Sequence, residues 1–198
     1  MKTSLMRSTR LLATTALLVL PAPFARGSQH GTIGLYSDTS ATVNQIEASA
    51  GQIPLYLVAM EPTDDLGNTP SSLTGFEGRI SFQAGTDFIS QVEYPVDVIN
   101  VGTNDNLIVG YGSPVPLSGS SVVLATVVVY TLGSPESNIF LGPSSPASLP
   151  GYLAVVDESF LLVPMDPASG DSGRPVFFIN SKGYLESANW GTAKTLYR

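Results

Sequence analysis

The run VVLATVVVY at positions 122–130 decides the fold class. Val dominates it, and Thr126 interrupts it without changing its character. Two heavy atoms on Cβ leave such side chains little χ1 freedom against a helical turn, whereas a pleated strand accommodates them. The run is therefore expected to be the most buried strand of a sheet.

Working outward, short β-rich segments bounded by Gly, Pro, Asn, Asp and Ser recur on both sides of it. TIGLY at 32–36 comes first, then IPLYLVAM at 53–60, with Ile53, Leu55 and Leu57 on one face and Tyr56, Val58 and Met60 on the other. Both of its faces are expected to be covered. GFEGRISF at 75–82 sets Phe76, Gly78, Ile80 and Phe82 against Glu77, Arg79 and Ser81, one face inward and one toward water. Segments 88–96, 98–101, 107–111, 138–141, 152–156, 160–163 and 176–179 continue the series. The Pro-rich stretches 112–120 and 142–150 read as crossover loops within one core. Apolar spacing of three and four shows only at 187–198, where Trp190, Ala193 and Tyr197 suggest a short helix or tail. The sum is an all-β chain of about nine to eleven strands, which suits a single sandwich.

The N-terminus carries an address. Lys2, Arg7 and Arg10 precede the apolar run LLATTALLVL at 11–20, and Ala25-Arg26-Gly27 offers a small-x-small site for cleavage before Ser28. That is the pattern of a secretory signal over 1–27, too short to span a bilayer; an uncleaved anchor is the other reading. Cleavage leaves a domain of 28–198 with Arg79, Arg174, Lys182, Lys194 and Arg198 against sixteen acidic residues, a net charge of −11. Five scattered cations make no continuous basic face, which excludes nucleic acid as a partner. Membrane insertion after cleavage is not expected either. With no cysteine, the exported domain relies on its core alone.

Three stretches together resemble cohesin-type and carbohydrate-binding-like bacterial β-sandwiches. Gly51-Gln52-Ile53-Pro54-Leu55-Tyr56-Leu57 is similar to the G-x-x-V-P-V strand that opens cohesins, and 73–82 to the amphipathic strand that follows it. In 106–130 a strand, the turn Ser118-Gly119-Ser120 and the run ending VLATVVVY resemble the G-x-L-A-T-I-x-F strand. The resemblance spans about 31–165 and implies a cohesin-like jelly roll. Where cohesins carry a Tyr-Asp pair after the second strand, this chain has Phe82-Gln83-Ala84. No partner-contacting position carries over.

Candidate chemistry is sparse. Gly170-Asp171-Ser172-Gly173-Arg174-Pro175 resembles the G-D-S-G-G-P loop of chymotrypsin-like proteases, with Ser172 as nucleophile and the Gly170 and Ser172 amides as oxyanion hole. The one histidine, His30, follows the expected cleavage site rather than a run of barrel strands. The plainer reading is a turn opening the last strand. Glu77, Glu93 and Asp97 are the carboxylates from which a glycosidase pair would be drawn. No cofactor is expected; Asp64-Asp65, Asn104-Asp105-Asn106, Asp157-Glu158, Asp166 and Asp171 could offer oxygen ligands for Ca2+, but none matches an EF-hand pattern. Asx residues favour turns for their own backbone bonds. Tyr56, Tyr94, Tyr111, Tyr130, Tyr152 and Trp190 are the rings that would stack on sugars if they shared an exposed face.

The expectation is a non-catalytic binding or adhesion module, in the envelope or outside the cell, that recognises protein or glycan on a sheet face. No catalytic, ligand-binding or metal residue is assigned. A secreted serine hydrolase using Ser172 and a structural envelope component are the alternatives.

Overall fold

The computed structural model describes residues 30–181 apart from 65, 84–86 and 134–135. The segments expected to be a signal (1–27) and a helix or tail (187–198) lie outside the described residues. Within them the chain forms β1 (Thr32–Tyr36), β2 (Gln45–Ile46), β3 (Gly51–Met60), β4 (Ser72–Phe82), β5 (Phe88–Glu93) and β6 (Val98–Asn100). There follow β7 (Asn106–Pro116), β8 (Ser121–Thr131), β9 (Ser137–Gly142), β10 (Leu153–Asp157), β11 (Leu162–Pro167) and β12 (Phe177–Ile179). The architecture is all-β, with twelve strands rather than nine to eleven; the two-residue β2 was not expected.

Sheet A runs β5-β8-β3-β1, antiparallel throughout. The run that decides the fold class becomes β8, central between β3 and β5. Val122, Leu124, Val127 and Val129 are buried, while Val123, Thr126, Val128 and Tyr130 are half-buried on the outer side. Sheet B centres on β4, which pairs with β7 on one side and with β10 and β9 on the other. β6 extends it beyond β7, and β12 and then β2 extend it beyond β9. β11 laces the sheets together, antiparallel to β10 and, at its far end, parallel to β1 through Thr32 and Asp166.

The facing sides of the two sheets make one core, with Leu35, Leu55, Leu124 and Val127 from A against Phe76, Ile80, Leu107, Leu153 and Val155 from B. Across it the Tyr111 hydroxyl of sheet B donates to the Leu124 carbonyl of sheet A at 2.8 Å. Burial pushes this phenol well above its ordinary pKa.

Three expectations change. The stretch 112–116 is strand, not loop: β7 reaches Pro116, with Val115 opposite Leu73. Its prolines are tolerated because the pairing with β6 stops at Tyr111, so neither has a strand on its outer side. Phe160 and Leu161 belong to the β10–β11 turn rather than to a strand, and Phe160 sits at φ 62°. Glu77 points away from the core as the alternation requires, yet it is only 4% exposed. Residues 143–152 fold back over it, and Ser148 donates to it twice, N–H to Oε1 and Oγ–H to Oε2, both at 2.8 Å.

Candidate ligand-binding faces

The GDSG loop is a turn built from its own backbone. The Gly170 N–H donates to Pro167 O at 2.7 Å, Asp171 Oδ1 accepts the Gly173 N–H at 2.8 Å, and the Arg174 N–H reaches Asp171 O at 3.0 Å. A catalytic loop would need the Gly170 amide for an oxyanion and a base beside Ser172; here that amide is already spent. Ser172 lies exposed in a cleft of about 270 Å3 with Asp166 and Asp171. The His30 ring does not line that cleft and stands edge-on to Tyr152, centroids 6.0 Å apart. Arg174 turns to a separate cavity of about 410 Å3, beside Tyr36, Asn44 and Phe178.

The carboxylates divide in the same way. Glu77 faces outward from sheet B beneath Ser148, whereas Glu93 faces outward from sheet A opposite Thr126, so the whole sandwich separates them. Asp97 lies between β5 and β6, its carbonyl accepting the Gly112 N–H at 2.7 Å. Glu77 and Glu93 therefore assemble no glycosidase pair.

The acidic loops tie their own turns. Asp64 accepts the N–H groups of Leu66 and Asn68 and the Asn68 amide, and these bonds, the side-chain one foremost, hold its pKa below the usual carboxylate value. Asp105 is held down in the same direction by the Thr103 hydroxyl at 2.5 Å. Asp157 Oδ1 accepts from Ser159 and Leu161, both at 2.8 Å, and Glu158 clamps the Ser71 and Ser72 amides. Among the described residues no three His, Asp or Glu side chains gather in a way that could hold a metal ion. Asp65 lies outside the described residues.

The tyrosines are sorted by face. Tyr111 is turned into the core, and the Tyr94 hydroxyl accepts from the Asn100 amide at 3.3 Å. Tyr56 and Tyr130 are both on the outer side of sheet A, where Tyr130 stacks on Phe88 at 5.4 Å and 25°. Tyr152 is paired with His30, and Trp190 lies outside the described residues.

Register exposes a feature of sheet B that alternation alone did not reveal. Paired residues share a face, and the pairs Ile99–Gly110, Gly110–Gly75, Gly75–Val156 and Val156–Leu162 run across five strands on the outer side. Ile99 is 73% exposed, and Val101 beyond it 74%. Gly110 leaves open floor beside them: a Cβ there would meet nothing within 4 Å. At the other end Leu162, Leu161 and Phe160 stand out, Phe160 being 77% exposed. The loop 143–152 covers the next row at Glu77; in this row Gly75 is buried and Val156 half-buried, and the exposed apolar residues stand at its two ends.

Fold and surface thus define a two-sheet β-sandwich with one outer face partly lidded and apolar residues exposed at both ends of one of its rows. It is similar to a cohesin module of a Clostridium perfringens family 33 glycoside hydrolase, at 10% identity, covering 70% of this chain and 91% of that one, TM-score 0.47. It is likewise similar to the sixth cohesin of Acetivibrio cellulolyticus scaffoldin B, solved with a Cel5 dockerin variant, at 7% identity, covering 77% and 99%, TM-score 0.49. A non-cellulosomal cohesin from Archaeoglobus fulgidus shows 9% identity, coverage of 80% and 97%, and TM-score 0.42. No protein-family model matches the sequence, and no curated protein matches it. Among the described residues no helix is long and apolar enough to cross a membrane.

Proposed function

We propose that this chain is an exported, non-catalytic binding module whose ligand is a protein seated on the outer face of sheet B. The observation that carries the reading is the pair of exposed apolar groups at the ends of one row of this face, Ile99 and Val101 beside the open Gly110, and Leu162, Leu161 and Phe160. Contiguous exposed apolar residues on a folded surface mark interaction sites, and a dry apolar centre is where protein interfaces gain most of their energy. The second group is framed by Asp157 and Glu158, fixed by their hydrogen bonds, so the partner presents apolar side chains with basic neighbours. The spent Gly170 amide and the placement of His30 favour binding over a Ser172 hydrolase. The exposed groups themselves favour a discrete ligand over a purely structural envelope component.

The test is a photo-crosslinking amino acid placed at Ile99 in the protein expressed in its own cells, with the same group at Val43, exposed between β1 and β2, as comparison. A discrete adduct with one other protein from position 99 and none from 43 is expected. Equal adducts at both positions, or none at 99, would overturn the reading.

A further inference from the structure

The outer side of sheet A has a different chemistry. Its β1 end is closed: a Cβ on Gly34 would stand 2.6 Å from the Tyr36 ring and 2.8 Å from Ala168, so the β11–β12 segment lies over it. In the part built by β3, β8 and β5, Gln52, Pro54, Phe88, Gln91 and Glu93 are exposed and Tyr56, Val128 and Tyr130 half-buried. On edge strand β5 the register shifts between Ile89 and Gln91, and the Ser90 hydroxyl fills the gap by donating to Val128 O at 3.0 Å. That bulge sets Phe88, Gln91 and Glu93 on one face, opposite Tyr130, Val128 and Thr126. Phe88 is 51% exposed and stacked on Tyr130. A second ring, Tyr56, stands four residues beyond Gln52, the partner of Tyr130, which is about 14 Å along the strand.

Two aromatic platforms along one line, with low Val128 and Pro54 between them, match the apolar C–H faces of non-adjacent pyranose rings along one extended chain. The groups beside that line match the equatorial hydroxyls. Gln52, Gln91 and Glu93 are exposed, and the Gln91 amide donates to Glu93 at 2.9 Å, leaving carbonyl and carboxylate oxygens as acceptors and amide N–H groups as donors. Rings interleaved with planar polar side chains suit a polar, flat ligand; a protein interface centre is more continuously apolar. Among the described residues no cation stands on the face, and the domain as a whole is acidic, which disfavours uronates and sulfated chains.

We propose that this face binds a neutral, extended polysaccharide, with Phe88–Tyr130 and Tyr56 as stacking platforms and Gln52, Gln91 and Glu93 as hydroxyl partners. The site is separate from the sheet B row, so either reading can fail alone.

Affinity electrophoresis of the full secreted chain in gels containing β-glucan, xylan or galactomannan tests it, with polygalacturonate as the anionic comparator and pull-down on cellulose and chitin. At least one neutral polysaccharide retards the wild type and polygalacturonate does not. Tyr130→Ala and Tyr56→Ala each weaken binding about ten-fold, one stacking contact in free-energy terms, with unfolding midpoints that report folding separately. Gln91→Ala, on an exposed edge, weakens binding without touching the core. Ile99→Asp leaves retardation unchanged. The proposal is overturned if no neutral polysaccharide retards the wild type, or if polygalacturonate binds better. It is equally overturned if all three variants bind as the wild type does, or if the substitutions dissolve a dimer seen by sedimentation instead.

Discussion

Ser148 holds both oxygens of Glu77, through its amide and its hydroxyl, at 2.8 Å each. A carboxylate that alternation assigns to water is thereby sealed under residues 143–152, and those residues gain their anchor on sheet B. Asn106 adds a second, its amide donating to Ser145 O at 3.0 Å and its carbonyl accepting the Ser145 N–H at 2.7 Å.

Breaking the first anchor has a graded cost. Ser148→Ala removes one charge-assisted bond and is expected to lower stability by about 1.5–3 kcal/mol. Glu77→Ala removes both bonds and costs more, while Glu77→Gln keeps one acceptor and falls between wild type and Glu77→Ala. Urea denaturation of the three variants gives the order, and equal midpoints for all would remove the loop's dependence on this pair.

The Tyr111 hydroxyl sets the behaviour in alkali. Its folded pKa is raised, by burial first and by the neighbouring Tyr94 second, so its contribution is full below the unfolded phenol value of 10.0 and is lost as pH rises beyond it. Stability is expected to fall above about pH 10, and Tyr111→Phe to flatten that fall. Near neutral pH the same change costs about 1 kcal/mol, because the Leu124 carbonyl loses its donor. Denaturant midpoints between neutrality and pH 11 decide it; an equally steep decline in the variant counts against this assignment.

Phe160 holds an aromatic ring in water at φ 62°, a region that L side chains rarely adopt. Asp157 enforces it by accepting the amides on either side of Phe160, at Ser159 and Leu161. Phe160→Gly is expected to leave the unfolding midpoint unchanged or raise it. Phe160→Val should lower stability by about 1–2 kcal/mol, since a β-branched side chain is least tolerant of that region. A drop for Phe160→Gly would mean that the ring packs against the fold after all.

Ser172→Ala is expected to change nothing measurable. Purified protein should show no Ser172-dependent hydrolysis of p-nitrophenyl esters and no labelling by a fluorophosphonate. Labelling at Ser172 would revive the hydrolase reading.

Strand identity was legible wherever it depended on a residue and its immediate neighbours. β3, β4 and β8 stand within a few residues of their expected limits, since β-branched crowding and a two-residue period act within the strand itself. The turns at Asp64 and Asp157 were legible for the same reason, an Asx side chain bonding the backbone a few residues on. The reading of 112–116 as loop failed because proline forbids a strand only where a neighbour needs its N–H, and that depends on how far the short β6 pairs along β7, which stops at Tyr111.

By itself the sequence determined the all-β class, the inward set of apolar residues and the self-bonded nature of the acidic loops. Only the tertiary structure decided which outward residues meet solvent. Glu77 is buried because residues some seventy positions away fold over it, whereas Ile99 is bare because none of the described residues does. Alternation divides a strand into two faces; what lies against the outer one is settled by non-local packing, and so therefore are the surfaces on which a ligand can sit.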